Sequence, residues 1–566
     1  MSVDAFDLPS RAEVAARSLT RLLDPRLDGL MYFLASWQAD PPRAWHGLWD
    51  CGDGCGRHID ALTLARRMAP PGSPAAQPDA GEAQIEAWMM RLLGDDGLSW
   101  LPQEPWAEPW GAGMLLRGPV GDEPLAEISW AQRGTLLGLS SRYEATGDER
   151  YLLAGQRLVG ALLRIAERHP DGLFFPEGYY RAGGWRHHAP GLCAGIEECN
   201  AAVVLPAVRF HAATGFEPAI ELADGLVRFA LRHTTGYTPD GRIVGEPGSG
   251  LSDHFHTRSN FILGVLELGI AIGRREYVAW ARQSYEHAKE WGTDFGWFPE
   301  GLGCRHGEIC CTVDMIEIAI GLGLHVDRAY FADAERFGRN HLLESQFLSL
   351  DRLREAANRL PREESTAAPD ERFSTTEDVV ESQLGAFAAR STLNDAFHLD
   401  STAVMQCCNA AGTRGLYDLW RHSVHETGPG KCWVNLRFSV ETPLLRVVSH
   451  ELMDGRLDIT AERDVLVHVR LPEGVAQAVV RRHGAAMELV VCARDGYVEF
   501  DAAAGSRTEV RYELPERVAH YEVGRPGRSL SCTGAWRGET LVGIDPPGRY
   551  HPLYQRSDTA RGEGPA

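Results

Sequence analysis

The stretch WAQRGTLLGLSSRYEATGDERYLLAGQRLVGALLRIAERH, residues 130–169, decides the fold. Apolar residues recur at three- and four-residue intervals from Trp130 to Tyr143 and again from Tyr151 to His169, the period of amphipathic helices. Between the two runs stands Ala145-Thr146-Gly147-Asp148, where Gly147 fits a left-handed helix cap and Asp148 an N-cap for the next helix. This part of the chain therefore predicts a helical hairpin. The same punctuation returns at Ala213-Thr214-Gly215, Ile272-Gly273 and Leu322-Gly323, and the four glycines lie 68, 58 and 50 residues apart. Each unit is then a hairpin plus a loop of variable length. More than ten helices fit between about Ala12 and His425. A closed (α/α)6 toroid is the expected architecture, and an open helical solenoid would show the same period.

After Gly428-Pro429-Gly430 the texture changes. Val465, Val467, Val469 and Leu471 alternate with other residues, as do Val510, Tyr512 and Leu514, in the two-residue period of strands. Gly455, Gly474, Gly484, Gly496 and Gly505 punctuate this part at intervals suited to an antiparallel β-sandwich. The expected division is a mainly α barrel over 1–430, a β-sandwich over 431–556 and a loose tail over 557–566. Leu360 to Thr376, with Pro361, Pro369 and paired acids, reads as a surface loop.

Composition agrees with this reading and narrows the function. At 566 residues the chain exceeds what one core usually serves, and 44% hydrophobic residues with 15 Trp can bury a large one. The balance of 57 basic against 78 acidic residues, a formal net charge of −21, opposes nucleic acid and anionic membranes as partners. No stretch reaches the roughly 18 apolar residues of a membrane span, and the first ten residues lack the basic start and apolar run of a secretory signal. The expectation is a soluble cytoplasmic protein. Its 12 cysteines are too sparse for a disulfide scaffold, and seven of them fall between Cys193 and Cys408.

Two cysteine segments about a hundred residues apart carry the chemistry: Gly307-Glu308-Ile309-Cys310-Cys311, and Gln406-Cys407-Cys408-Asn409 followed by Arg414. Thiols with a carboxylate suit Zn²⁺, a borderline-soft ion that takes sulfur and oxygen ligands in a tetrahedral shell. Glu308 and Cys310 stand two residues apart, which fits an extended turn better than a regular helix. The helical run Val313 to Leu322 would place Cys310 or Cys311 near a helix N-terminus, where the dipole lowers a thiol pKa. Cys407 and Cys408 likewise open a helical stretch, Ala410 to His425, so two helix mouths can face one ion. Neither segment contains CxxC, and adjacent cysteines are equally consistent with small buried apolar residues.

Other candidates surround them. Glu300, in Gly296-Trp297-Phe298-Pro299-Glu300-Gly301, sits on an aromatic loop suited to a sugar, where desolvation beside Trp297 and Phe298 would raise a carboxyl pKa toward that of an acid catalyst. Glu177 lies in a similar Phe-Pro-Glu-Gly loop. His187-His188 beside Trp185 can bind sugar hydroxyls, and Trp291, Trp297 and Trp420 offer stacking platforms or simply pack. The run Cys193 to Cys199, with Glu197 and Glu198, offers further ligands or core cysteines. Cys51-Gly52-Asp53-Gly54-Cys55 reads as a loop over the barrel, with a second metal or a disulfide as alternatives.

The Glu-x-Cys segment, the distant Cys-Cys pair and the Arg six residues beyond it resemble glycoside hydrolase family 127, the zinc-dependent β-L-arabinofuranosidases. Asp253-His254-Phe255-His256-Thr257-Arg258-Ser259-Asn260 is similar to a second motif of that family, and Gly56-Arg57-His58-Ile59-Asp60-Ala61-Leu62 more faintly to a third. The resemblance implies a helical barrel followed by a β-sandwich. It also implies zinc held by Glu308, Cys310, Cys407 and Cys408, Cys407 as nucleophile of a retaining glycosidase, and His256 among the sugar contacts. The chain departs from the pattern at the acid/base glutamate, expected sixteen residues before Glu308, where Gly292 stands; Glu300 is the nearest replacement. The implied partner is a small glycoside or oligosaccharide, and the β-domain offers a surface for a homo-oligomer. Alternatives are a zinc toroid that activates a substrate thiol, as lanthionine cyclases do, and a non-catalytic carbohydrate-binding protein with a structural zinc. A carboxylate-only toroid such as an unsaturated glucuronyl hydrolase would need no cysteines.

Overall fold

The computed structural model describes residues 6–102, 124–176, 179–185, 202–244, 254–362, 373–398, 403–428, 430–484, 488–525 and 527–556. Six helical hairpins form its first part. The outer helices are α1 (Leu8–Leu19), α3 (Ala80–Arg91), α5 (Glu149–Ile165), α7 (Glu217–His233), α9 (Arg275–Lys289) and α11 (Phe331–Phe337), the last continued by a π-turn over Gly338–Leu342. The inner helices are α2 (Asp53–Met68), α4 (Trp130–Thr146), α6 (Val204–Thr214), α8 (Phe255–Ala271), α10 (Ile309–His325) and α13 (Gln406–Ser423); α12 (Leu350–Arg359) lies in the last connection. Each inner helix packs on the next, and α13 packs on α2. The ring is closed, which excludes the open solenoid.

The hairpin quoted above folds as its sequence dictates. Gly147 caps α4 at φ +67°, a left-handed conformation costly for any residue with a Cβ, and the Asp148 carboxylate accepts from the Arg150 amide to start α5. Outer α5 buries one stripe, Tyr151, Ala154, Leu158, Leu162 and Ile165, whereas inner α10 is buried from Ile309 through Ile320 on every side. One turn is corrected: α10 runs through Gly323 to His325, so Leu322-Gly323 ends no helix. A Cβ on Gly323 would come within 3.0 Å of the Phe331 ring, so this glycine serves the approach of α11. Inner helices α2 and α4 touch backbone to backbone. A Cβ on Gly56 would stand 2.1 Å from the carbonyl of Gly134, and one on Gly134 2.5 Å from the Asp53 backbone. Gly56→Ala is therefore expected to cost about 3 kcal/mol or more, since neither backbone can yield, and urea unfolding checks it.

Residues 424–556 are mainly β, with strands β1 (Val424–Gly428), β2 (Lys431–Val434), β3 (Val440–Glu441), β4 (Leu445–Ser449), β5 (Arg456–Ala461), β6 (Val465–Arg470), β7 (Gln477–Arg482), β8 (Glu488–Cys492), β9 (Tyr497–Ala502) and β10 (Arg507–Arg511). Sheet order β1-β2-β6-β9 faces sheet order β3-β4-β5-β10-β7-β8 across one core that includes Val434, Val447, Ile459, Val467, Val480, Val498 and Val510. This is the expected sandwich with one correction: β2 and β6 run parallel, because the connection between them first builds β3 to β5 in the opposite sheet. The last strands, β11 (Glu516–Arg525), β12 (Arg528–Arg537) and β13 (Thr540–Asp545), form a separate antiparallel sheet. Its Trp536, Leu541 and Ile544 pack with Trp37, Phe295, Trp297 and Phe347 from the barrel loops rather than with the sandwich. No described helix is long and apolar enough to cross a membrane. Residues 363–372 of the expected surface loop, and the expected tail, lie outside the described residues.

Candidate metal centre

The two cysteine segments meet at the N-terminal ends of adjacent inner helices. Glu308 is extended (φ −133°, ψ 133°) and closes a two-residue strand with Arg390–Ser391 before α10 begins at Ile309. Cys310 is then the second residue of α10, and Cys407 and Cys408 the second and third of α13. The carboxylate of Glu308 and the sulfurs of Cys310, Cys407 and Cys408 all lie within 4.8 Å of one another. Cys408 Sγ stands 3.8 Å from Cys310 Sγ, 4.0 Å from Cys407 Sγ and 3.6 Å from Glu308 Oε1. A zinc tetrahedron with ordinary bond lengths has sulfur–sulfur edges of about 3.8 Å and sulfur–oxygen edges of about 3.6 Å. The donor set fits zinc in kind, number and spacing.

Electrostatics single out one cysteine. Thiol hydrogen bonds from Cys310 and Cys408 hold Cys407 down at about 5, helped by Arg57, while burial pushes Cys408 up. Cys407 is half-buried, whereas Cys310 and Cys408 are buried. The Arg57 guanidinium, on α2, donates to Cys310 Sγ at 3.6 Å and lies 3.6 Å from Asp53. It offsets thiolate charge that four anionic donors and one divalent ion would leave uncompensated. Arg57→Met is expected to weaken metal binding by about 10- to 100-fold, measured by competition with a chromophoric chelator. Arg414 plays no such part, because it pairs with Asp60 and, at 2.8 Å, with Glu317, deeper along the barrel axis.

Beside the cysteines, His254 Nε2 hydrogen-bonds Glu308 Oε2 at 2.8 Å. Glu300 Oε1 accepts from Arg390, and its Oε2 is 2.6 Å from His306 Nε2. Glu300 thus reaches the centre, but the expected rise in its pKa is reversed. Burial does raise it; the His306 hydrogen bond and the charges of Arg390 and His254 outweigh burial and hold the carboxyl at about 2. Trp297 is corrected too. It is 0% exposed, its Nε1 donates to Ser391 O at 3.0 Å, and it packs beneath the Gly307–Glu308 strand, leaving no face for a sugar.

His256 is the second residue of α8 and buried; it stacks on Trp130, and its Nδ1 lies 2.7 Å from Asp314 Oδ2. Burial pushes its pKa down to about 3, so it is neutral. His187, His188, Glu177 and the run Cys193 to Cys199 lie outside the described residues. Cys51 and Cys55 flank the start of α2 as buried free thiols. Trp291 packs against Phe255, and Trp420 against the barrel and sandwich cores.

With this geometry in place, comparison with solved structures is informative. A GH127 β-L-arabinofuranosidase from Geobacillus stearothermophilus T6 superposes with a TM-score of 0.56 at 13% identity, over 94% of this chain and 80% of that one. A second GH127 β-arabinofuranosidase gives 0.57 at 13% identity, over 94% and 79%. A further glycoside hydrolase gives 0.56 at 12%, over 92% and 84%. The chain has the fold of these proteins. No protein-family profile and no curated protein matches the sequence.

His254, His306, Arg390 and Arg57 are the residues that sequence reasoning left without a role. His254 stands at the N-cap of α8, two residues before the histidine chosen from the same motif. Arg390 reaches Glu300 across 90 residues of chain, and no local pattern announces such a contact.

Proposed function

We propose that the chain is a metal-dependent retaining glycoside hydrolase acting on a small glycoside, with a β-L-arabinofuranoside as the first substrate to test. One observation carries the reading: four donor atoms stand at zinc spacing at two helix mouths, and one of them, Cys407, is less buried than the rest. Glu308, Cys310, Cys407 and Cys408 would hold the ion, and zinc there would keep the cysteines as thiolates at neutral pH. In the first displacement the Cys407 thiolate attacks the anomeric carbon, forming a carbon–sulfur bond as the carbon–oxygen bond to the aglycone breaks. The departing oxygen takes a proton from the Glu300–His306 pair, whose Oε2 and Nε2 stand 2.6 Å apart, with Arg390 donating to the other Glu300 oxygen. In the second displacement water attacks the same carbon, the carbon–sulfur bond breaks and the pair takes the water proton. Two inversions give net retention.

The similarity of fold to GH127 β-L-arabinofuranosidases supports the choice of substrate. The test is release of p-nitrophenol from a panel of pentosides and hexosides by zinc-loaded protein. Turnover is expected with at least one member, retention by proton NMR of the first-formed sugar, and a loss of at least about a thousandfold in Cys407→Ser. Zinc-loaded protein inert towards every member of the panel, or turnover that survives Cys407→Ser, would sink the proposal.

A further inference from the structure

The two sheets of the sandwich differ in width, and the wider one ends on an apolar strand. Six strands face four, and β8 (Glu488–Cys492) is the last of the six, paired among the described residues with β7 alone. Its Leu489 and Val490 point to opposite faces of the sheet and are 57% and 64% exposed. Leu489 is on the inner face, since its partner Val480 is buried in the sandwich core, so β8 overhangs the narrower sheet. Cys492 is exposed too, and no charged residue stands between Glu488 and Arg494. The other outer strands of the sandwich carry the usual protections of an edge. β3 is two residues long, β1 has a bulge between Glu426 and Gly428, and β9 carries exposed Glu499 and Asp501. We infer that β8 is the docking surface for a second copy of this chain, the two β8 strands pairing antiparallel about a two-fold axis at Val491.

The backbone fixes which residues bond across the edge. The Ala493 amide donates to Ala476 O at 2.8 Å, continuing the register of β8 on β7. By the alternation of antiparallel ladders Leu489 and Val491 bond inward as well, which turns the N–H and C=O groups of Glu488, Val490 and Cys492 outward. An added strand would bond to these groups, as in β-augmentation. With the axis at Val491, Val490 faces Cys492 of the second copy twice, and the two pairs exchange about four backbone hydrogen bonds. On the inner face Leu489 then meets Ala493 of the second copy and Val491 meets its own equivalent, which covers the overhang.

Charge points to a second copy as the occupant. A net charge of −21 opposes contact between two copies over most of the surface, so an uncharged strand is where contact costs least. The ends of this strand carry opposite signs on one face, Glu488 and Arg494, and a strand so marked complements its own antiparallel copy. The axis at Val491 sets Glu488 against Arg494 of the second copy at both ends, whereas an axis at Val490 sets Glu488 against Cys492 and leaves the charges unmatched. Both side chains are exposed and available. Arg494 has no acidic partner among the described residues, and Glu488 has only Arg481 at 3.7 Å, a pair more than half exposed and worth little in water.

Sedimentation velocity tests this on the full chain. Between about 1 and 100 μM the mass is expected to rise from 62.3 kDa toward twice that value. Val490→Lys, at a side chain that is already exposed, should hold the mass at one chain throughout and leave the melting temperature of dilute protein unchanged. Glu488→Arg and Arg494→Glu should each weaken the dimer by at least about tenfold, because each sets like charges opposite one another at both ends. The double variant, with the charges exchanged, should regain dimerisation to within about threefold of the wild type. A single-chain mass at about 100 μM, a dimer that survives Val490→Lys, or a double variant no better than either single one overturns the proposal.

Discussion

Cys408→Ser is expected to raise the zinc dissociation constant by at least about a hundredfold and to cut the stabilisation by zinc to about a third or less. Cys408 is the node of the centre, at 3.8 Å from Cys310, 4.0 Å from Cys407 and 3.6 Å from Glu308, and it is fully buried. Structural zinc sites of four ligands are worth roughly 10–16 kcal/mol in apparent binding free energy, so one ligand of four carries about 3 kcal/mol. Serine keeps the volume nearly unchanged but gives up a thiolate for a hydroxyl that does not ionise near neutral pH. An ion bound to the native state alone stabilises it by about 4 kcal/mol at a thousandfold excess over the dissociation constant. Wild-type protein should therefore melt several degrees higher with zinc than after chelation, and the variant should gain about a third of that or less. Metal content by mass spectrometry and paired thermal scans measure this. Equal zinc retention by both proteins, or wild-type protein prepared under reducing conditions that holds no metal, would return these cysteines to the core.

Local chemistry was readable in the sequence wherever the partners are neighbours in the chain. The hairpins were legible because Gly147-Asp148 ends one helix and starts the next within two residues. The clustering of Glu308, Cys310, Cys407 and Cys408 was legible because two short segments each carry these donors at a helix mouth. Gly323 misled because a glycine that ends a helix and a glycine that admits a neighbouring ring look alike without the ring. Trp297 and Glu300 misled for a related reason. An aromatic loop suggests a sugar platform and a desolvated acid, yet the ring turns inward to Ser391 while Arg390, on the strand paired with Glu308, reaches Glu300. Arg57 reaches Cys310 across 253 residues of sequence, through the backbone contact of Gly56 with Gly134 that seats α2 against α4. The parallel pairing of β2 with β6 also depends on tertiary order, which alternation within a strand does not encode.

The joint between barrel and β-region yields the second large effect. Arg437→Met is expected to destabilise the protein by about 3–5 kcal/mol, because its buried partners would keep their charge and lose its neutralisation. Arg437 Nε lies 2.8 Å from Glu451 Oε2, and its Nη1 3.3 Å from Glu335 Oε2. Arg339 bonds Glu335 at 2.6 Å, and Arg470 bonds Glu539 at 2.8 Å. Glu335 and Arg339 come from α11 and its π-turn, Arg437, Glu451 and Arg470 from the sandwich, and Glu539 from the turn between β12 and β13. All six are buried, so the network can form only when the barrel and both β-layers are in place. Burial works to raise the pKa values of Glu335 and Glu539, yet the arginines outweigh it and hold both below the usual carboxylate range. A carboxyl depressed in the folded state stabilises above its unfolded pKa, about 4.3 for glutamate, and that contribution drains away as pH falls through the folded value. Urea unfolding of the wild type should therefore grow easier below about pH 4.3, and Arg437→Met should flatten this acid dependence as well as lower stability at pH 7. A variant within about 1 kcal/mol of the wild type at pH 7, with an unchanged acid slope, would show that the joint is held by apolar packing such as Phe6 on Phe438 and that the charges are passengers.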